Sequence, residues 1–319
     1  SGAAHHLAAV YGPAAPRRLA VGLLAFPLPL VVFSVVSYSL PGGMRMTGQD
    51  GRFIGYFLNA NGCAAVLAMV APLAAAPLFR RLRQPARGRL FLAGGMAVLF
   101  YFLLLATSRS SLLGVLAAVV VYSLVHADRK IAAAVLVVVV LISARILSEP
   151  SWLPSLAERY LYKYKGTTLL QSRIEPWKLA RARFVKSPWM GLGFGVTSEA
   201  ETGWTFGART ERSFETGSSV WSALVQVGIL GSVPLFLALL GILLQAGRFA
   251  WKVKDPWFTG VYGLVLALSI SALFEGWLIT PGSFATSYFW VACFFLNALM
   301  CRFQPTRRFP LEHSASARQ

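Results

Sequence analysis

Between Gly88 and His126 the chain carries two charges, Arg89 at the start and Arg109 in the middle, and is otherwise apolar. A helix crosses the hydrocarbon core of a bilayer with about 20 apolar residues. A run of this length is two spans. An arginine at the centre of one span costs roughly 2.5–3.5 kcal/mol on insertion scales. Two spans meeting at Thr107-Ser108-Arg109 instead put the guanidinium at a membrane surface. This stretch commits the chain to an all-α, polytopic membrane bundle.

The composition agrees. The chain has 319 residues, 56% hydrophobic and 13% charged, where a soluble domain has about a quarter charged. The net charge of +18 would suggest nucleic acid in a soluble protein. Here membrane topology and anionic phosphates account for it, and no nucleic-acid partner is expected. Cys63, Cys293 and Cys301 fall in apolar segments, with no disulfide framework and no metal spacing. The chain starts at Ser1, and "HHLAAVYGPAAPRR" lacks the order of a cleavable signal peptide. It reads as a fragment or a trimmed form.

The hydropathy pattern predicts about eight spans, at 18–40, 53–79, 89–107, 109–126, 130–147, 218–246, 257–279 and 283–302. Pro27, Pro29, Pro72 and Pro77 kink or end spans. The resulting division is 1–147 (five N-terminal helices), 148–217 (a long loop domain), 218–303 (three further helices) and 304–319 (a tail). The positive-inside bias sets the orientation. Arginines 80, 81, 83, 87 and 89, with Arg17, Arg18, Arg129, Lys130, Arg248, Lys252, Lys254 and the basic tail, fall on one side. Both termini are therefore expected in the cytoplasm, and the Arg109 turn and the 148–217 loop outside.

The polar residues in or beside the spans collect at that outer end: Asn59 and Asn61, Arg109, Arg145 and Glu275. Snorkelling suits Arg145. For Arg109 and Glu275 a functional role and a helix-end role both stand. In the loop, "QSRIEPWKLARARFVKSP" (171–188) has Ser172 and Glu175 in capping-box spacing and Pro176 in the first turn. Ile174, Trp177 and Phe184 share a face, ringed by Arg173, Lys178, Arg181 and Lys186. The pattern predicts an amphipathic helix resting on the bilayer, and a helix packed on the spans with a solvated charged face fits it as well. Arg173 opens that helix, where an anion is already favoured; a salt bridge to Glu175 or a loop carboxylate is the alternative. "GLGFG" (191–195) reads as a tight turn, since no strand precedes it. Ser218 and Ser219 suit a helix cap, and Glu215 suits a dipole partner.

The absences narrow the chemistry. His5, His6, His126 and His313 all fall away from the outer face, and the aspartates are Asp50, Asp128 and Asp255. No paired aspartates and no Walker motif appear. An enzyme built this way works outside, without ATP, on a substrate that carries its own activation. A lipid-linked diphosphate is such a substrate. A transporter or lipid-binding channel for an anionic lipid-linked substrate is the rival; it would show broken helices at mid-membrane in two related halves, and no repeat is visible.

"RFIGYFLNANGCAAVLA" (52–68), "LLATSRSSLL" (104–113), "SRIEPWKLARARFVKSPWMGLGFG" (172–195) and "GSSVWSALVQVGILG" (217–231) occur in this order. Together they resemble the O-antigen ligase and polymerase family of bacterial integral-membrane glycosyltransferases. The resemblance implies a GT-C-like helical fold in the inner membrane. It implies transfer of a glycan from undecaprenyl diphosphate to an acceptor glycan or glycolipid at the periplasmic face, without metal or other cofactor. It maps a diphosphate-binding role onto Arg109 and Arg173. The family's ligase histidine falls at about Gly217, so this chain lacks it, and Glu215 is the nearest replacement. That departure favours a polymerase, or a ligase for another acceptor. Arg52, Asn61, Arg181 and Glu275 are the further substrate-binding candidates. Family members are also usually longer at the N-terminus.

Overall fold

The computed structural model describes residues 14–40, 47, 52–57, 60–80, 86–126, 171–194, 217–280 and 283–303. Its helices are α1 (Ala15–Ala25), α2 (Pro27–Ser39), α3 (Ala60–Arg80), α4 (Ala86–Leu105), α5 (Arg109–His126), α6 (Gln171–Phe184), α7 (Ser219–Val253), α8 (Pro256–Phe274) and α9 (Phe284–Phe303). Among the described residues the only β pairing is an isolated bridge between Thr47 and Phe53. Among the described residues five helices are long and apolar enough to cross a membrane, or six if α1 and α2 form one broken span. Those two meet at 44°, where Pro27 opens α2 and cannot continue the ladder of α1. The expected span at 130–147 lies outside the described residues, as do Asn59 and Arg145.

The core is α3, α5 and α8. The spanning window of α3 is 78% buried, and that of α8 67%. Small residues let these helices approach closely. A Cβ on Gly114 of α5 would overlap the Ala267 carbonyl of α8, and Gly263 of α8 faces Ala118 and Pro72. The buried Tyr122 hydroxyl lies 2.9 Å from the Pro72 carbonyl and 3.0 Å from that of Pro256, tying the three helices at one end. By contrast the window of α7 is only 17% buried. Its exposed Leu230, Val233, Leu237, Leu240 and Leu244 form the lipid-facing surface.

Three predicted spans are shorter or less regular than expected. The second begins at Ala60, because residues 52–57 are held outside the helix by tertiary bonds. Phe53 N–H donates to the Leu105 carbonyl (3.0 Å), Tyr56 N–H donates to the Ser34 hydroxyl (3.3 Å), and Gly55 turns with a positive φ. The seventh ends at Phe274, not 279. The sixth runs to Val253 but is interrupted at Gly228, where φ is 65° and ψ −169°.

The loop helix also differs from its reading. It starts at Gln171, which places Ser172 inside the helix, and Glu175 accepts from Lys178 at 2.9 Å. The face that packs on α7 is Arg173, Pro176, Trp177, Ala180 and Phe184, with Phe184 edge-on to Trp221. Ile174 and Leu179 point away and are exposed. Apolar residues thus lie on both sides, and the single membrane-facing stripe expected for α6 is absent. Packing against α7, with the small Ala180 at the contact, sets its rotation.

Candidate functional site

The starts of α3, α5 and α6 and the end of α8 place Asn61, Arg109, Arg173 and Glu275 at one end of the bundle, with Arg52 just before α3. His126, Lys252, Lys254 and Asp255 lie at the other. A cavity of about 510 Å³ opens at the first end. Arg52 and Asn61 line it on the α3 side; Glu275, Trp277 and Thr280 on the α8 side; Ser283 and Phe284 at the start of α9. Three residues singled out from the sequence therefore share one cavity, though Arg52 and Glu275 are far apart in the chain.

Glu275 is where α8 stops. Its backbone is extended (φ −134°, ψ 136°), so the last carbonyls of the helix need other partners. Ser219 supplies one. Its hydroxyl donates to the Glu275 carbonyl (2.6 Å) and accepts from Leu278 N–H (3.0 Å). One buried side chain thereby fixes both ends of the turn that presents Glu275 and Trp277 to the cavity. Ser218, its neighbour, caps α7 by accepting from Val220 N–H. Both serines suit a cap by sequence; in the structure Ser218 caps α7 and Ser219 holds the α8 turn.

Arg173 donates from a terminal nitrogen to Glu275 Oε1 at 2.5 Å, with 15% and 10% of the two side chains exposed. Of the partners expected for this arginine, Glu175 is excluded, since it points to Lys178 instead. Gly217 packs on the guanidinium. A Cβ there would lie 3.1 Å from an Arg173 nitrogen, and its positive φ of 61° already favours glycine. Trp177 Nε1–H donates to the Gly217 carbonyl at 3.4 Å. Arg173, Gly217, Ser219 and Glu275 form one connected wall. Arg181 is exposed on α6 and does not line the cavity. Glu215 lies outside the described residues.

Arg109 is the first residue of α5 and is half-buried. The turn before it is strained. Thr107, a β-branched residue, has a φ of 50°. Its buried hydroxyl finds no partner among the described residues. Ser108 Oγ lies 3.3 Å from Ser110 Oγ and 3.2 Å from Ser111 Oγ. The Phe53–Leu105 bond links this turn to the segment carrying Arg52. Two arginines, Arg109 and Arg173, thus occupy first turns of helices. There the macrodipole opposes a cation unless an anion compensates. Glu275 compensates Arg173.

Among the described residues no group of three His, Cys, Asp or Glu side chains is placed to hold a metal ion. The break in α7 is the feature a transporter would show, but its backbone groups are taken up. Val225 and Gln226 carbonyls accept from Leu192 and Gly193, and Ile229 and Leu230 donate to Pro188 and Trp189. These four groups are closed to a substrate of the kind that half-helix ends bind.

A search of curated proteins returned no matching relative. Residues 94–236 match the family model described as O-antigen ligase, a stretch that contains Arg109, Arg173 and Ser219. Over these residues the chain is similar to the O-antigen ligase family.

Proposed function

We propose that this protein transfers a glycan from undecaprenyl diphosphate to an acceptor sugar at the periplasmic face of the inner membrane. It acts as an O-antigen or exopolysaccharide polymerase, or as a ligase for an acceptor other than the usual one. The supporting observation is the shared wall: Arg52, Asn61 and Glu275 on one cavity, with Arg173 bonded to Glu275.

The acceptor hydroxyl oxygen attacks the anomeric carbon. The bond from that carbon to the diphosphate oxygen breaks, and the electron pair leaves with the diphosphate. Charge therefore grows on the leaving group, where fixed cations stabilise it most in a water-poor site. Arg109 and Arg173 meet that charge. Guanidinium suits it better than ammonium, because its planar fork can engage two phosphate oxygens. Asn61, with Thr280 and Ser283, offers donors and acceptors to sugar hydroxyls.

The acceptor's proton needs a carboxylate. Glu275 is already engaged by Arg173 at 2.5 Å. It serves to aim Arg173. Glu215, two residues before the glycine that packs on Arg173, is the proposed base.

The test is transfer itself. The purified chain in nanodiscs receives a fluorescent oligosaccharide on undecaprenyl diphosphate and an acceptor glycan. Elongated or transferred product is expected. A donor that is bound or moved but never consumed would support the transporter reading instead.

A further inference from the structure

The segment after α6 has no role in the reaction proposed above, and among the described residues it is the most exposed apolar stretch outside the spans. Val185 is 67% exposed, Trp189 63%, Met190 72% and Phe194 63%. A soluble loop does not leave such a cluster open to water.

Its placement says what covers it. Residues 188–193 are bonded backbone to backbone with the break in α7, through Leu192 to Val225 (2.8 Å), Gly193 to Gln226 (3.0 Å), Ile229 to Pro188 (2.9 Å) and Leu230 to Trp189 (3.2 Å). Gly191 and Gly228 meet face to face, both with positive φ, and a Cβ on either would overlap the other strand's backbone. The turn is therefore seated rigidly and cannot fold its large side chains inward. Gly228 stands roughly 38 Å along α7 from Val253. That is just past the ~30 Å of hydrocarbon that a span crosses. Directly below it on the same helix begins the exposed stripe of Leu230, Val233 and Leu237. The turn continues this lipid-facing surface at the depth where hydrocarbon gives way to headgroups. Trp189 suits that depth, and Lys186, also exposed, can reach headgroup phosphates.

We propose that Val185–Phe194 is a membrane anchor: Trp189, Met190 and Phe194 insert into the leaflet on the same side as the cavity, and the partner of this surface is the bilayer. The anchor, not the face of α6, fastens the loop to lipid. The name of that leaflet rests on the orientation proposed above; the insertion does not.

The full chain, with Cys63, Cys293 and Cys301 replaced by Ala, is spin-labelled at Lys186→Cys, Met190→Cys or Phe194→Cys in vesicles of phosphatidylethanolamine and phosphatidylglycerol. Labels at 190 and 194 should collide more with oxygen than with a water-soluble nickel chelate, and the label at 186 should show the reverse. Chelate-dominated collisions at all three would place the turn in water and overturn the proposal. So would labels reached by neither reagent, which would show protein covering it. If the cysteine-free chain fails to fold, brominated lipid is used with the native cysteines in place. Quenching should be greater for wild type than for Trp189→Phe, and equal quenching overturns the anchor. Neither readout uses transfer activity, so a failed transfer assay leaves this result standing.

Discussion

In this bundle α7 is interrupted and α8 stops short, and the two are repaired differently. At Gly228 the freed groups of α7 are met by backbone from residues 188–193. At Glu275 the end of α8 is met by side chains, the Ser219 hydroxyl on the carbonyl and Arg173 on the carboxylate. Backbone pairing fixes shape and is indifferent to side-chain chemistry. Side-chain repair places a hydroxyl, a carboxylate and a guanidinium beside a cavity. The first repair is architectural and the second belongs to the site.

Substitutions should separate the two. Arg173→Ala is expected to have the largest effect, a loss of transfer of roughly 10²–10³-fold, the usual scale for removing one group that stabilises developing charge. Folded yield, read by size-exclusion chromatography, should stay high, since Glu275 faces a cavity wide enough for water. Arg109→Ala should match it, and Arg109→Lys should recover little; full activity in the Lys variant would reduce Arg109 to a generic charge. Glu275→Gln should lower turnover about tenfold, as a mis-aimed group does, while donor binding holds or tightens because Arg173 loses its competing anion. Ser219→Ala should cost turnover less than that, and Ser219→Thr should restore most of it, which a purely structural loss would not show. Gly228→Ala should leave turnover per folded molecule unchanged. Its cost should appear as lower yield and a lower Tm, because the added methyl meets the Trp189 backbone. A turnover defect there, at normal stability, would erase the distinction between the two repairs.

The sequence made the bundle legible because hydropathy is set by lipid and is local. Arg52, Asn61 and Glu275 were readable as candidates because polar groups at span ends are conspicuous there. Their meeting in one cavity was not readable, since it depends on where α8 stops. The early stop at Phe274 is announced only by Gly276, one residue past the C-cap Glu275, and a tertiary bond from Ser219 holds it. The same limit hid the Arg173–Glu275 pair, where Glu175 stood nearer in sequence. The rotation of α6 is not legible in the sequence for a related reason. Ile174 fits an apolar face by spacing, but the contact with α7 selects the small Ala180. The "GLGFG" stretch was readable as a turn, whereas its seat in the α7 break is long-range.

The central claim is that Arg173 binds the diphosphate while a separate carboxylate serves the acceptor. The direct test is donor affinity beside single-turnover rate, measured in nanodiscs with undecaprenyl-diphosphate-linked oligosaccharide, for wild type, Arg173→Ala and Glu215→Gln. Arg173→Ala should bind donor visibly more weakly. Glu215→Gln should bind it as wild type does while its turnover falls by roughly 10²–10⁴-fold. Donor affinity unchanged in Arg173→Ala, or full turnover in Glu215→Gln, would contradict the account.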